Sequence, residues 1–385
     1  MPHPYPIRDI ARQAGVSEAT VDRVLNDRGG VRPSTVNDIR QAIADLDQQR
    51  SQLRLAGRVF MIDIVMQTPD RFSSAVKTAL EQELPSLRPA VVRSRFDFRE
   101  TGHVGDIVAI LDAIARRGSR GVILKAPEAP EVNAAVLRLS EAGIPVVTLV
   151  SDLPFSKRVA YVGMDNRSAG ATAAYLVNEW LGEVPASPGS PGFPGSPGFP
   201  GSPGFPGSPG RGSRILVALS RSVFRGEEER EIGFRSAIRE RWPHRGLTEI
   251  TDSDGLDTSV YRLALDALDR HADIEAVYSI GGGNRAILDA FDARRRPCRA
   301  FIAHDLDRDN RELLEAGRLS AVLYHDLRRD MHRACQIIMQ AHDALDGPIV
   351  TAPAPIQVIT PFNIPPETPS RAPRSRMPGS ATTSV

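Results

Sequence analysis

From Val59 to about Pro361, short runs of Val, Ile and Leu alternate with amphipathic stretches, and no other feature restricts the fold as much. The candidate strands read VFMIDIVM, AVVRSRFDF, GVILKA, PVVTLV, RVAYVGM, RILVALS, LTEITDS, AVYSIG, RAFIAHD and SAVLYHD. Between them, helical spacing of apolar residues predicts helices over 71–83, 104–117, 130–142, 167–181, 227–241, 257–270, 284–293, 308–316 and 327–344. Strands that alternate with helices build βαβ units and a parallel sheet covered on both faces. With 385 residues the chain exceeds one ordinary core and suits a small domain followed by a larger one with two lobes.

The organisation expected is a small helical domain over 1–45, a hinge or short helix over 46–58, and a two-lobed α/β domain over 59–361. A tail over 362–385, rich in Pro, Ser, Thr and Arg, is expected to be disordered. The segment 186–212 interrupts the domain. Gly recurs there at every third position from Gly189 to Gly210, formally a collagen repeat. Collagen needs three chains side by side, and this run is short and lies inside a domain, so an extended surface loop is the expectation. Closing such a loop costs little more than closing a shorter one.

Net charge is +1, so any nucleic-acid surface has to be local. Residues 1–58 hold nine Arg, no Lys and seven Asp or Glu, an excess too small to decide anything. Cys298 and Cys335 fit neither metal-ligand nor redox spacing, and two thiols in so long a chain suggest a reducing compartment. The opening MPHPYPIRDIARQAGVS has no apolar core of a signal peptide, and no apolar run approaches the roughly 20 residues that span a bilayer. A cytoplasmic protein without membrane contact is expected.

Residues 7–26 read IRDIARQAGVSEATVDRVLN. A first helix over 7–13 and a second opened by Ser17 as N-cap are expected, with Gly15 supplying a positive φ between them. Ala11 lets the helices cross closely, while Val21 and Val24 pack back on Ile10 and Ala11. That spacing is what a helix-turn-helix requires. The second helix then exposes Ser17, Glu18, Ala19, Asp22 and Arg23. Glu18 can accept from cytosine, Ala19 can touch a thymine methyl and Arg23 can pair with guanine, while Thr20 and Asn26 suit phosphates. A third helix opens at Pro33-Ser34.

The stretch from Ile7 to Leu46, with its phrase G-V-S-x-x-T-V-x-R-V-L-N followed by V-x-x-x-T, resembles the headpiece of the lactose/galactose-repressor family. The resemblance extends to about Pro361. It implies a type I, periplasmic-binding-protein-like ligand domain and a homodimer on a near-palindromic operator, with association of two dimers left open. In that family a hinge helix carries a Leu that wedges into the minor groove. Leu55 matches the position, although the segment before it lacks the usual aromatic-x-Pro-Asn phrase, and plain packing of the linker is the other reading.

Ligands of doubly wound sheets bind beyond the carboxyl ends of the strands. The polar residues so placed are Gln67 to Phe72, Lys125, Asp152, Asp165, Asn166, Arg221, Arg230, Gly281 to Asn284, Asp305, His325 and Asp326. Of these, Phe72, Asp152, Arg230, Asn284, Asp305 and His325 are the ligand-binding candidates. Carboxylates, Asn and Arg with one aromatic suit a small polyhydroxylated effector such as a sugar or cyclitol. The resemblance assigns Arg230 and Asp305 to effector contact and puts His325 or Tyr324 near a ligand-binding glutamine. It also marks departures: Val150 replaces an aspartate, with Asp152 two residues late, and Gly281-Gly282-Gly283 replaces an Asn-Asp pair. These suggest an effector unlike the common hexoses.

His304, Asp305, Asp307, Asp309, His325 and Asp326 could serve acid/base or metal chemistry, but no metal-ligand spacing is present and Asp307 and Asp309 are placed to cap a helix. The glycine-rich turn at 281–284 is neither a Walker loop nor a complete dinucleotide fingerprint. No cofactor is expected. An enzyme acting on sugars or nucleosides, or a solute receptor, is the alternative, and neither accounts for the N-terminal helix-turn-helix.

Overall fold

The structure is a computed structural model that describes residues 3–182, 213–220, 224–251, 253 and 257–366. The Gly-Pro segment 186–212, Arg221 and the tail from 367 onward lie outside the described residues.

The chain begins with three helices, α1 (Ile7–Ala14), α2 (Glu18–Leu25) and α3 (Pro33–Leu55). Gly15 ends α1 at φ 68°, and the Ser17 hydroxyl caps α2 by accepting from the backbone N–H of Thr20 at 3.2 Å. Ile10, Ala11, Val21 and Ile39 form the small buried centre of this unit. Pro33 starts α3, where its missing N–H costs nothing.

The hinge or short helix expected over 46–58 is instead, as far as Leu55, the second half of α3. No Gly or Pro falls between Ser34 and Leu55, and the residues from Leu46 onward are mostly good helix formers, so nothing halts the helix before Gly57 at φ 76°. Leu55 is 6% exposed and packs in the core that contains Phe60, Ile62, Val76 and Leu80. This corrects the reading of Leu55 as a minor-groove wedge, because a wedge has to be free to enter DNA. Beside it Arg54 pairs with Asp346 at 2.5 Å. Leu55→Ala is therefore expected to cost about 2 kcal/mol of stability, at the low end for a buried leucine. Chemical denaturation would check this, and loss of DNA affinity at unchanged stability would restore the wedge.

The first lobe is a five-stranded, all-parallel sheet in the order β2-β1-β3-β4-β5. Its strands are β1 (Val59–Gln67), β2 (Val91–Arg99), β3 (Gly121–Lys125), β4 (Val146–Leu149) and β5 (Ala160–Val162). Helices α4 (Asp70–Glu83), α5 (Val104–Arg117) and α6 (Pro130–Glu141) connect them. Asp63, buried in the middle of β1, is held by both nitrogens of the Arg95 fork at 2.7 Å and by Arg117 at 2.6 Å, so its charge is paired rather than bare.

The second lobe has six strands in the order β11-β10-β9-β8-β6-β7. They are β6 (Arg214–Ala218), β7 (Gly246–Ile250), β8 (Ile274–Ser279), β9 (Ala300–His304), β10 (Ala321–Tyr324) and β11 (Gln357–Ile359). The last is antiparallel to β10 and was not legible in the sequence, since three residues show no alternation. Helices α7 (Asn166–Leu181), α8 (Arg225–Arg241), α9 (Asp257–Arg270), α10 (Asn284–Ala293) and α11 (Arg308–Glu315) surround this sheet. Helix α12 (Leu327–Ala341) leaves β10 and returns to the first lobe, where Met331, Ala334, Cys335 and Ile338 join the core of β1. Three crossings thus join the lobes: after β5, after β10 and before β11. The carboxyl ends of both sheets face one cleft.

Candidate functional site

On the three-helix unit, Ser17, Glu18, Ala19, Arg23 and Asn26 are exposed and Thr20 is half-buried. The residues turned inward from α2 include Val21, fully buried, with Val24 and Leu25 packed beside it. The outer face of α2 is therefore free over its whole length. Arg23 has no ion-pair partner among the described residues, whereas Asp22 is engaged by Arg28 at 3.0 Å and by the Asn26 amide at 2.8 Å. Asn26 also donates to the carbonyl of Asp22 at 3.0 Å, so its side chain secures the end of α2. The Ser17 and Thr20 hydroxyls lie 2.8 Å apart.

The cleft between the lobes encloses about 800 Å³, counted out to its open mouth. The first lobe contributes Gln67, Thr68, Arg71, Phe72, Glu100, Lys125, Val150 and Ser151, and the second contributes Ser220, Phe224, Glu227, Arg230, Gly281, Gly282, His304, Asp305, Asp307 and Asn310. Each group follows the end of a strand or opens a helix, as the doubly wound topology requires.

Three of the six candidate ligand residues line this cleft: Phe72, Arg230 and Asp305. The other three do not, and each has a structural occupation. Asp152 holds Arg158 by two contacts, the Nη2 one at 2.6 Å, and accepts from Thr148 at 2.8 Å. Asn284 donates to Asn310 Oδ1 at 2.6 Å from the first turn of α10. His325 is 0% exposed, with Nδ1 against Asp330 and Nε2 3.7 Å from Asp305, so it stands behind the cleft. Among the wider set, Asp165 and Asp326 cap α7 and α12, and Asn166 accepts from Arg230 Nε at 2.8 Å.

The cleft wall leaves several buried polar atoms without a partner: Gln67 Oε1, Arg230 Nη2, His304 Nδ1 and Asp305 Oδ1. An orphaned buried polar atom costs free energy, and four of them belong to residues that line this one cavity, which suits a wall that receives hydrogen bonds. The backbone shows matching strain. Val150 and Asp305, both in the cleft wall, have φ 63° and 64°, a region that β-branched valine in particular rarely enters. The strained turn points the Val150 carbonyl at the Asn166 amide and the Tyr161 hydroxyl, at 3.1 and 3.2 Å.

Several contacts join the lobes across the cleft. Arg71 of α4 pairs with Asp307 at 3.2 Å and lies so close to Gly282 that a Cβ there would fall 1.9 Å from the guanidinium. Arg225 reaches Glu128 at 3.4 Å, and the backbone N–H of Gly226 donates to the Ser151 hydroxyl at 3.2 Å. The Lys125 ammonium sits 4.2 Å from the centre of the Phe224 ring. Burial shifts the titrating groups here. It drives the Lys125 ammonium down to about 8, pushes the Asp307 carboxyl up to about 6 against the pull of Arg71, and, with Arg230 nearby, holds His304 well below its ordinary value.

Glu227 and His304 had a different reading in the sequence or none. Glu227 lies in the first turn of α8, and its carboxylate accepts from the Ser220 backbone N–H and hydroxyl at 3.0 and 2.6 Å inside the cleft. His304 ends β9 and bonds Tyr278 at 2.9 Å. The rule that ligands bind after strand ends points at both, but only the fold separates them from capping residues.

Comparison with known proteins agrees with this architecture. Residues 62–348 match the periplasmic binding protein domain, and residues 6–51 match the bacterial regulatory proteins of the lacI family. The chain is 51% identical over 39 residues to a sucrose operon repressor of Vibrio alginolyticus, covering 10% of this chain and 42% of that protein. It is 28% identical over 175 residues to the HTH-type transcriptional regulator reg1 of Streptomyces lividans, covering 43% and 48% of the two. The chain thus spans less than half the length of these curated relatives. Among solved structures, the glucose-galactose binding protein GanP of Geobacillus stearothermophilus shares the fold at a TM-score of 0.64 and 19% identity, over 80% of this chain and 99% of that one. No described helix is long and apolar enough to cross a membrane. By its two-lobed body the chain belongs to the periplasmic binding protein domain family, and its N-terminal helices are similar over residues 6–51 to the lacI family of bacterial regulatory proteins.

Proposed function

We propose that the chain is a ligand-responsive DNA-binding transcription regulator of the repressor type, acting in the cytoplasm and without enzymatic activity. Its operator is near-palindromic and is bound by a homodimer, one copy of α2 entering the major groove of each half-site. A small polar, sugar-like effector sits between the lobes and biases their relative orientation. The observation that carries this reading is one chain holding both a free, N-capped α2 face and an interlobe cleft walled by unpartnered polar atoms. The relatives' names point the same way: one is a sucrose operon repressor, and a structural neighbour binds glucose and galactose.

On this reading Glu18, Ala19 and Arg23 meet base edges, and Ser17 and Thr20 meet phosphates. Arg54 and Leu55 join the end of α3 to the first lobe, so a shift of that lobe moves the headpiece with it. An effector has influence only through differential affinity; a 100-fold preference for one arrangement amounts to about 2.7 kcal/mol per site.

The test uses the tightest duplex that the purified protein selects from a random pool. Arg23→Ala should weaken binding to that duplex by about 10- to 100-fold per half-site, the worth of one bidentate contact to guanine, and leave the melting temperature unchanged. Failure to select any duplex, or equal affinity in the variant, would remove α2 from its assigned role.

A further inference from the structure

Three adjacent glycines, Gly281, Gly282 and Gly283, lie just beyond β8, and neither a Walker loop nor a dinucleotide fingerprint accounts for them. Two are set by their own lobe. A Cβ at Gly281 would fall 2.2 Å from the backbone nitrogen of Ser220, and one at Gly283 would fall 2.6 Å from the Val260 side chain of α9. Gly282 is shaped by the other lobe. A Cβ there would fall 1.9 Å from Nη2 of Arg71, which belongs to α4. Its φ of 92° favours glycine as well, so the position is closed to a side chain on two counts.

Arg71 reaches this seat as a fixed arm. It is the second residue of α4, and the turn that carries it is tied down. The backbone N–H of Asp70 donates to the Glu100 carboxylate at 2.8 Å, and the Phe72 N–H donates to the Pro69 carbonyl at 3.0 Å. Beside the seat stands Asp307, whose two oxygens divide between the lobes. Oδ1 accepts from the Asn310 backbone N–H at 2.8 Å and caps α11, while Oδ2 faces Arg71 Nε at 3.2 Å. Burial pushes the Asp307 carboxyl up only to about 6, so at neutral pH it carries the charge that the pair needs. The two side chains are 20% and 5% exposed, so salt screens them less than it would a surface pair.

We propose that Arg71 is the latch of the cleft: seated over Gly282 and paired with Asp307, it holds the lobes together before any effector arrives, and the site is regulated from a closed resting state. The latch stands on the contacts themselves, while its use in effector control rests on the function proposed for the cleft. A latch that changes the ratio of closed to open lobes tenfold changes by the same factor the preference an effector has to supply.

Hydrogen exchange on the full chain without ligand reads the latch. The Gly226 N–H donates to the Ser151 hydroxyl of the other lobe at 3.2 Å, so it exchanges when the lobes part. The Ile280 N–H donates to the Ala218 carbonyl of its own lobe at 2.8 Å and reports on the stability of that lobe. Arg71→Met should speed exchange at Gly226 about 10-fold, near the lower end of what a hydrogen bond to a charged group is worth, and leave Ile280 unchanged. Asp307→Asn should act likewise from the second lobe, since asparagine still caps α11 but turns an amide toward the guanidinium. The double variant should open no further than the faster single one, because both changes remove one contact. Unchanged exchange at Gly226, equal acceleration at Ile280, or effects of the two variants that multiply would each overturn the latch. Binding of the duplex selected with the wild type, again without ligand, tells the two readings apart. Faster exchange at Gly226 with unchanged duplex affinity keeps the latch and removes lobe orientation from control of the DNA.

Discussion

Arg230→Ala is expected to weaken effector binding by about 100-fold while the folded protein stays intact. The guanidinium lines the cleft and has one unpartnered nitrogen there, so ligand contact is the interaction it lacks. Losing a hydrogen bond to a charged group costs about 1.5–3 kcal/mol, and a bound ligand acceptor left facing an empty wall adds to that. The stability effect is small because two consequences oppose each other: the bond to Asn166 is lost and an uncompensated buried charge is removed. Isothermal titration with the tightest ligand found in a panel of sugars and sugar derivatives gives the affinity, and duplex binding by the unliganded variant reports on the headpiece. Unchanged ligand affinity would take Arg230 out of the site. A variant that no longer binds the duplex without ligand would show that the residue supports the fold instead.

Gly170→Val should destabilise the second lobe by about 3 kcal/mol or more, toward the upper end of overpacking costs. Helices α7 and α8 cross at a pair of glycines. A Cβ at Gly170 would fall 1.9 Å from the Arg230 carbonyl oxygen, and a Cβ at Gly233 would fall 2.1 Å from the Arg167 carbonyl oxygen. Each helix thus receives the backbone of the other, and backbone cannot move aside as a flexible side chain can. The same crossing sets where Arg230 enters the cleft, so the variant should lose ligand response along with stability. The melting temperature should fall by roughly 6–12 °C, scaling from domains of comparable size. Gly105→Ala supplies the contrast. That glycine is helical with open space around its Cα, so alanine should be neutral or mildly stabilising. Equal melting temperatures for Gly170→Val and the wild type would show that the helices do not cross as closely as described.

Both predictions depend on contacts between residues far apart in the chain, and the limit of sequence reading lies there. The alternation of apolar runs and amphipathic stretches located ten of the strands and the helices between them, because periodicity and capping depend on neighbours within about four residues. Ser17, Gly15 and the apolar spacing around them placed α1 and α2 for the same reason. Leu55 shows where local reading stopped. Nothing in its own neighbourhood says whether it meets DNA or a protein core, and only the continuation of α3 onto the first lobe buries it.

The cleft divides in the same way. That its residues follow strand ends was legible, and it led to Phe72, Arg230 and Asp305. Which polar side chains remain free to meet a ligand was not. Asp152 is consumed by Arg158 six residues on, and Asn284 by Asn310 twenty-six residues on. His325 is turned away behind Asp305. The sequence by itself determined which elements form and that their ends converge on a polar cleft. The tertiary structure alone decided which of those polar groups were already satisfied, because a hydrogen-bond partner is chosen by proximity in space, and Arg230 meets Asn166 across 64 positions of chain.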